Sequence, residues 1–409
     1  MPKYRGIDYL RNKLAAKRSR VLLRYRYYEM KNKTMDLGIS TPPSLTYWMS
    51  VLGWCGRAVD ALADRLQFRE FAEDLFDMNQ IYQMNNPDIL FDSAMLSALI
   101  SSCSFIYISP DENGYPRLQV IDGGNATGII DPITGLLTEG YAVLSRDDQG
   151  QPDLEAWFTP GRTDYVSADK RAVDSRRYNV AYPLLVPIIY RPDAARPFGH
   201  SRISRACMDL MGSALRTIKR SEISAEFYSF PQKWVTGLDQ DAEAMDKWKA
   251  SMSSMMTFTK NDDGENDVKL GQFSQQAMTP HIEQLRMFAS LFAGETGLTL
   301  DDLGFATENP SSAEAIKAAH ENLRLTARKA QNTFGSGFLN AGFVAACLRD
   351  NYAYQRRALY MTKTKWEPVF EPDAAMLSSI GDGAIKINQA VEGYFSEENL
   401  RDLTGINKD

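Results

Sequence analysis

The chain has 409 residues, of which 44% are hydrophobic and 24% are charged, and its formal net charge is −6. This length is enough for two or three domains, and the composition is that of a folded globular protein, which excludes a disordered or fibrous chain. No run approaches the roughly 18 apolar residues of a membrane span, and the first residues lack the apolar core of a signal peptide. We therefore expect a protein that stays in the cytoplasm where it is made.

Charge is distributed unevenly along the sequence. Residues 1–33 contain eleven Lys or Arg against two acids, a net of +9, so the remainder carries −15. Tyrosines interleave with these cations, so this basic arm could hold nucleic acid or a membrane surface through phosphate contacts and apolar anchors. A solvated helix face is favoured because the apolar stripe is modest, and the acidic remainder argues against tight DNA binding. The stripe consists of Leu10, Leu14, Val21 and Leu22.

Two helices and a region of short strands are predicted after the arm. The first helix covers about 44–66, and the second covers 86–101. The buried face of the first helix is expected to contain Val51, Cys55, Ala58, Leu62 and Leu66. From Phe105 onwards apolar residues alternate in short runs, which turn residues separate, and this pattern predicts an antiparallel sheet with hairpin turns. The runs are FIYIS, RLQVI, TGII, GYAVLSR, LEAWF and YPLLVPIIY.

The glycine-rich segment Gly123–Gly128, GGNATG, lies between two of these runs. It lacks the GxGxxG spacing of a dinucleotide-binding loop, and it lacks the Lys-Ser/Thr of a P-loop. We therefore interpret it as a turn.

The cysteines are far apart in the sequence, and each lies in an apolar, periodic setting. They are Cys55, Cys103, Cys207 and Cys347. This distribution predicts reduced cysteines in the core rather than a disulfide framework.

A third helix is predicted over 201–229, with an apolar stripe made largely of small residues. The stripe contains Ile203, Cys207, Leu210, Ala214, Ile218, Ser221 and Ala225. Small side chains allow close packing against a neighbouring helix. The charged residues are expected on solvated faces or against a copy of the same chain. They are Arg202, Arg205, Arg216, Lys219, Arg220, Glu222 and Glu226.

Residues 230–277 are predicted to form a small β-α-β insert, consisting of the strand QKWVTG, a helix over about 241–256 and the strand DVKLGQF. A segment of this size buries too little surface to be stable by itself, so we expect a copy from an adjacent subunit to cover it. The acidic loop 261–267 lacks a glycine at the sixth position and is not followed by a glutamate at the twelfth, both of which a calcium loop requires.

The stretch 279–348 is predicted to hold a short helix over 279–296, a loop, and a long helix from about Ser312 to Leu348. Ser311 and Glu314 form a capping box at the start of the long helix. Glycines in its second half predict a bend near Gly335, Gly337 and Gly342. Its apolar face contains Ile316, Ala319, Leu323, Ala327, Ala330, Phe334 and Phe338.

Catalytic constellations are largely absent from the sequence. His200, His281 and His320 have no metal-ligand spacing, so each is expected to be a surface or capping residue. We predict no catalytic residue, no metal and no cofactor. The adjacent Asp301 and Asp302 leave one alternative, a nucleic-acid-processing enzyme that uses loop carboxylates with magnesium. A membrane-surface scaffold built on the basic arm is a third hypothesis.

Three segments together resemble the portal proteins of tailed bacteriophages, in particular those of long-tailed phages. They are RYRYYEMKN, VDALADRLQF and GETGLTLDDLGFATENPSSAEAIKAAHENL. The resemblance covers about 25–406, and its most specific part is 297–323. It implies an α+β subunit with a wing of helices and antiparallel sheet, a two-helix stem, a β-α-β clip, a long kinked helix and a short helical crown.

The resemblance also assigns these parts to the chain. The wing would comprise 1–200 and 312–371, the stem helices 201–229 and 278–297, the clip 230–277, the tunnel loop 298–311, and the crown 372–409. Residues that would face DNA are Thr299, Asp301, Asp302, Thr307, Glu308 and Asn309. Residues of the clip that would contact the terminase are Trp234, Trp248, Met252 and Lys269.

The resemblance further implies a ring, usually of twelve identical subunits, at one vertex of the phage head. Such rings form in the host cytoplasm and remain in the virion. The implied partners are the terminase large subunit, a head-tail connector, the major capsid and scaffold proteins, and double-stranded DNA that passes through without sequence specificity. A conduit should hold DNA weakly, because strong phosphate contacts would multiply around a ring. The loop fits this requirement, since no Lys or Arg lies between Thr296 and Ser312.

Overall fold

The computed structural model describes residues 4–32, 47, 49–167, 172–229, 233–236, 269–272, 277–305, 318–370, 372 and 374–406. The chain divides into two compact units. The first unit comprises residues 1–32, 53–208 and 294–409, and the second comprises residues 33–52 and 209–293.

Helices and antiparallel strands are mixed along the chain, which confirms the predicted α+β class. The α-helices are α1 (Ile7–Tyr28), α2 (Trp54–Ala63), α3 (Met78–Gln83), α4 (Pro87–Ser101), α5 (Arg205–Ser229), α6 (Thr279–Thr296), α7 (Glu321–Arg349), α8 (Ala374–Ala390) and α9 (Glu397–Thr404). The strands are β1 (Phe68–Ala72), β2 (Cys103–Pro110), β3 (Pro116–Asp122), β4 (Ala126–Ile130), β5 (Leu137–Arg146), β6 (Pro152–Thr159), β7 (Arg162–Ser167), β8 (Ala172–Arg177), β9 (Leu185–Ile189), β10 (Lys233–Thr236), β11 (Lys269–Gln272) and β12 (Lys363–Trp366). Among the helices of the described ranges, none is long and apolar enough to cross a membrane.

The predicted sheet is divided into two sheets of the first unit. Strands β3-β2-β9 form one, and strands β4-β5-β6-β7-β8 form the other. Strands β7 and β8 were not predicted, because polar residues such as the buried Thr163 and Asp164 interrupt the apolar alternation in β7. Strands β1 and β12 pair antiparallel although they are far apart in sequence, and no local pattern indicates such a pair.

Helix α1 packs one face against the five-stranded sheet. Its buried Leu10 and Leu14 form a cluster with Tyr141 and Val143 of β5. Just before the helix, the backbone N–H of Gly6 donates to the Glu139 carboxylate at 2.8 Å. A carboxylate at this end compensates the orphan amides and the helix dipole. Of the predicted apolar stripe, Leu10, Leu14 and Val21 are buried, whereas Leu22 is exposed.

Helix α2 is shorter than the predicted helix 44–66. It begins at Trp54, and residues 49–53 are not helical. Gly53 immediately precedes the first turn of α2, and its low helix propensity disfavours extension of the helix towards residue 44. Val51 is therefore exposed rather than part of the buried face. The remaining members of the predicted face are buried as expected: Cys55, Ala58, Leu62 and Leu66.

The long helix α7 begins at Glu321, after a turn at His320. The predicted capping box at Ser311 and Glu314 lies outside the described residues, as does Ile316. Ala319 is exposed, which corrects its predicted place on the buried face. The other predicted core positions of the helix are buried: Leu323, Ala327, Ala330, Phe334 and Phe338.

The glycines of α7 lie where other elements approach the helix closely. A Cβ on Gly335 would lie 2.5 Å from Thr364 Oγ1 of β12. On Gly337 it would lie 2.8 Å from Ile188 Cδ1, and on Gly342 it would lie 2.8 Å from the Met78 sulfur. Three close contacts account for the glycines by packing. The bend inferred from them stays a prediction.

Helix α5 exposes a different set of residues from the predicted one. Ala225 is exposed, whereas Met211 and Leu215 are buried beside the expected Ala214. Two cations that were expected on solvated faces, Arg202 just before the helix and Lys219 within it, are also buried. The stripe of small residues therefore predicted the helix correctly, but it predicted the buried face only in part.

The second unit contains an antiparallel pair of helical segments. Thr217 of α5 donates to Gln284 of α6 at 3.2 Å, and about two turns further along α5 Ser224 contacts His281 at 3.4 Å. The unit also contains the hairpin β10-β11, in which Thr236 pairs with Lys269. The strands of the predicted insert are therefore present, and its predicted helix lies outside the described residues.

Each of the four cysteines is free and buried, as the sequence predicts. Burial raises the pKa of the Cys347 thiol to about 11, which makes it unreactive near neutral pH. These side chains act as small core residues.

Candidate functional site

The candidate site is the segment that follows α6. Two glycines in the left-handed backbone region bound its described part, Gly297 with φ +70° and Gly304 with φ +89°. Non-glycine residues adopt this region at a cost of about 1 kcal/mol, so both positions favour glycine. Between them, Asp301–Leu303 form a single 3-10 turn. The chain thus leaves the helix and turns sharply twice within eight residues.

Thr299 and Asp302 hold this turn together. The backbone N–H and the hydroxyl of Thr299 both donate to Asp302 Oδ2 at 2.9 Å, and the backbone N–H of Asp302 donates to Thr299 Oγ1 at 3.2 Å. The two residues therefore satisfy each other reciprocally, as in a capping box. The structure brings together two predicted DNA-facing residues, and it gives both of them a structural role.

Two basic side chains face the Asp302 carboxylate. Arg57 Nη2 lies 3.6 Å from Oδ1, and His320 Nδ1 lies 3.8 Å from Oδ2. The Asp302 side chain is only 12% exposed. Burial by itself would raise the pKa of Asp302, but the hydrogen bonds from Thr299 and the charges of His320 and Arg57 outweigh it, so the pKa lies below its ordinary value. Asp302 is therefore held ionised inside the fold.

Apolar contacts fix the same segment to the body of the first unit. Leu298 and Leu303 are buried, and the ring of Phe305 meets the ring of Trp54 edge to face with centroids 6.4 Å apart. Such an aromatic pair contributes about 0.5–1.5 kcal/mol beyond its buried area. The segment is consequently anchored on both sides of the acidic turn.

Arg202 anchors the end of α6, a role that sequence reasoning missed. Its guanidinium donates to the backbone carbonyl of Thr296, the last residue of the helix, and to the carbonyl of Ala58 at 3.1 Å. The C-terminal carbonyls of a helix lack intrahelical partners, and a cation there also complements the helix dipole. The sequence shows an arginine just before α5, but it does not show that this side chain is buried against the end of α6.

Asp301 and the clip residues complete the predicted set. Asp301 is exposed, and its backbone carbonyl accepts the N–H of Gly304 at 3.1 Å. Lys269 is exposed at the start of β11, and Trp234 lies in β10 opposite Gly271. The remaining predicted positions lie outside the described residues: Thr307, Glu308, Asn309, Trp248 and Met252.

The alternative carboxylate site is not supported by this geometry. The Asp302 carboxylate accepts hydrogen bonds from Thr299 and lies next to Arg57 and His320. A metal ion would have to displace these contacts. Within the described part of the chain, no group of three or more His, Cys, Asp or Glu residues is placed to hold a metal ion.

The other two histidines are also accounted for locally. His200 Nε2 lies 2.6 Å from Asp193 Oδ2 on the surface of the first unit, and His281 contacts Ser224 within the second. Among the residues whose placement is described, neither pair belongs to a group of three or more His, Cys, Asp or Glu that could hold a metal ion. The prediction of surface or capping histidines fits these positions.

The arrangement defines an α+β chain with an anchored acidic turn between α6 and the long helix α7. The sequence model of the family described as "Phage portal protein, SPP1 Gp6-like" matches residues 7–368. The chain belongs to this family of phage portal proteins, as the resemblance implied.

Individual relatives agree with the family. The portal proteins of Mycobacterium phages L5 and D29 are each 24% identical, over 92% of this chain and 80% of their own length. Among solved structures, the neck of a native gene transfer agent particle computed with C12 symmetry contains a chain that is 13% identical, with a TM-score of 0.45. That match covers 97% of this chain and 100% of the other.

Proposed function

We propose that this portal protein forms a ring of twelve copies at one vertex of the capsid, through which double-stranded DNA is packaged and later leaves. The match of the portal family to residues 7–368 carries this proposal. Other expected partners are the terminase motor, a head-tail connector, and the capsid and scaffold proteins. The ring would assemble in the host cytoplasm and remain in the virion, and it would act as a conduit rather than as an enzyme.

Exposed apolar side chains on α6 support contacts between copies. Met287 is 50% exposed and Leu291 is 53% exposed, and their spacing of four residues places them side by side on one face of the helix. Gly294 lies three residues further on, and apart from its chain neighbours and the local backbone of α6, no atom of the described residues lies within 4 Å of the position that a Cβ would occupy there. Such a face suits a second copy, because homo-oligomers bury equivalent surfaces by symmetry.

The assembly test uses light scattering of the purified protein. Twelve copies of 46.0 kDa give about 550 kDa. Leu291→Glu should reduce the ring to small species, whereas Leu75→Glu, which adds the same charge at an exposed leucine outside the stem, should leave the mass unchanged. A ring that persists in Leu291→Glu would rule out this face as the interface.

The acidic turn is the proposed DNA-facing segment, with Asp301 as its exposed charge. Asp302 is less suited to direct contact because Thr299 and Arg57 surround it. A negative charge that repels the DNA phosphates would keep DNA from adhering to the wall of the channel. This repulsion weakens as the salt concentration rises. Thr307, Glu308 and Asn309 are proposed to continue the same surface.

The test reverses the charge at Asp301 and not at Asp302, because a lysine at Asp302 would also break the turn. Asp301→Lys should slow packaging at low salt and recover as salt increases, whereas Asp301→Asn should have a smaller effect. Asp382→Lys, a charge reversal at an exposed position of α8, serves as control. Packaging rate and packaged DNA length that are unchanged in Asp301→Lys would contradict the role of this turn.

The clip is proposed to dock the terminase and later the connector. Lys269 is its exposed cation in the described ranges, and Trp234, Trp248 and Met252 are the apolar positions predicted to accompany it. Lys269→Glu should weaken terminase binding by at least tenfold in a pull-down or titration. Lys386→Glu, at an exposed position of α8, should bind normally. Equal binding by both variants would remove Lys269 from the contact.

A further inference from the structure

A basic pocket lies between α1 and the segment that joins β3 to β4, within the first unit. Its volume is about 290 Å³. The cations that line it are Lys13, Lys17, Arg20, Arg24 and Arg196. The first four follow one another at intervals of four, three and four residues, so they form a single stripe along α1. None of the described residues that line the pocket is acidic.

The contacts of these cations are with neutral groups. Lys13 Nζ donates to the backbone carbonyl of Gly128 at 2.7 Å, and Arg24 Nη1 donates to that of Ser101 at 3.2 Å. Lys17 Nζ lies over the ring of Phe105, 5.4 Å from its centroid. Across the described ranges, none of the five lining cations forms an ion pair with an Asp or Glu. The charges are thus concentrated in one place without a direct ion-pair partner.

Electrostatics in the pocket favour a bound anion. Burial, followed by the charges of Lys17 and Arg5, lowers the pKa of Lys13. Burial, followed by the charges of Arg20 and Arg196, lowers the pKa of Arg24. Burial also lowers the pKa of Lys17, and the nearby Asp122 carboxylate opposes this shift only in part. An anion among these groups would relieve both the desolvation and the mutual repulsion.

Thr127 provides an independent indication of a ligand. Its side chain is fully buried and lines the pocket, and its hydroxyl has no hydrogen-bond partner among the residues that the structure describes. A buried hydroxyl without a partner destabilises the fold, and a ligand oxygen that pairs with it would remove this cost. Gly123, in the turn that precedes β4, allows the backbone to approach closely, since a Cβ there would lie 2.4 Å from the Cys103 carbonyl oxygen.

We infer that this pocket binds a phosphate group. A free phosphate ion offers four oxygens and up to two negative charges, which suits five cations and one hydroxyl. A single carboxylate has two oxygens and one charge, and it would leave most of these donors unmatched. The ligand is either a free phosphate ion or neighbouring phosphodiester groups of a nucleic acid, each of which has two unesterified oxygens and one charge. The segment Gly123–Gly128, a turn followed by the start of β4, thereby takes part in phosphate binding through Thr127, without the spacing of a nucleotide-binding loop.

The test measures the stabilisation of the full-length protein by phosphate and by a short DNA duplex. Thermal unfolding is followed over a range of phosphate concentrations, with sodium chloride used to hold the ionic strength constant. Phosphate also stabilises proteins by exclusion from their surface. The variant Arg26→Gln controls for this effect, because it removes an exposed cation of α1 that does not line the pocket.

Wild type and Arg26→Gln should reach half-maximal stabilisation at the same phosphate concentration. In Lys17→Met and Thr127→Val that concentration should rise at least tenfold. Thr127→Val keeps the shape of the side chain, so it reports on the hydroxyl if Lys17→Met fails to fold.

A pocket-dependent response to free phosphate, or to the duplex alone, supports the inference and identifies the source of the phosphate. Identical curves for all variants would overturn it. So would pocket-dependent binding of a polyglutamate peptide without any response to phosphate or duplex, because the ligand would then be a carboxylate.

Discussion

The glycines of α7 make a prediction about packing whose sign can be measured. Replacing glycine by alanine in a helix interior ordinarily stabilises the helix by about 1 kcal/mol. At Gly335, however, the new Cβ would lie 2.5 Å from Thr364 Oγ1 and 3.2 Å from Thr364 Cβ. Because threonine is short and β-branched, its side chain cannot move away without a shift of β12.

The expected effect follows from these two opposed contributions. Overpacking of a filled site costs about 1–3 kcal/mol, so after subtraction of the helix gain, Gly335→Ala should lower stability by about 1 kcal/mol. For a unit of about 300 residues the melting temperature should fall by about 1–2 °C. Thermal unfolding followed by circular dichroism provides the measurement.

Gly381→Ala is the matched control, because Gly381 is also helical and, apart from its chain neighbours and the local backbone of α8, no atom of the described residues lies within 4 Å of the added Cβ. It should raise stability by up to about 1 kcal/mol. The double variant Gly335→Ala/Thr364→Ala should recover part of the loss, since it removes two of the three crowded atoms. If Gly335→Ala were stabilising, as at Gly381, close packing would not be the reason for this glycine.

Two other predictions concern the anchors of the acidic turn. Arg202→Met should destabilise the first unit by about 1–3 kcal/mol, because it removes the buried guanidinium that donates to the carbonyls of Thr296 and Ala58, whereas the exposed Arg205→Met should be nearly neutral in thermal unfolding; equal melting temperatures would contradict this anchor. The pKa of Asp302 is lower in the folded state, so its ionised form stabilises the fold above the ordinary aspartate value of about 3.9, and this stabilisation is lost as the pH falls through the folded pKa. Asp302→Asn should therefore be less stable than wild type at pH 7, with a difference that narrows below about pH 4, and a difference independent of pH would refute the assignment.

The elements that could be predicted from the sequence are those with a strong local pattern. Helix α4 was expected over 86–101 and observed as Pro87–Ser101, because Pro87 fixes the first turn and apolar residues fill the rest. Strands β2 to β6 and β9, but not β7 and β8, were identified from their alternation and turn residues. Their division between two sheets was not, because pairing between distant strands leaves no local signal.

The candidate site was predictable in place and less so in chemistry. Glycines and acidic residues indicated the turn after α6, and Asp301 is exposed there; its contact with DNA stays a prediction. The structural role of Asp302 in the turn depends on Thr299, Arg57 and His320. Arg57 is distant in sequence and His320 lies beyond the turn, so neither contact could be inferred from the local sequence. The charge of the basic arm was also evident in the sequence. The pocket could not be predicted, because it forms only where α1 meets residues distant in sequence, such as Thr127.

The central claim is the ring, and images of the purified protein test it most directly. Negative-stain electron microscopy, with rotational symmetry determined from end-on particles, is the measurement. The proposal predicts rings of about twelve copies around a central hole. Particles that remain small and monomeric, even after the capsid and scaffold proteins are supplied, would contradict it.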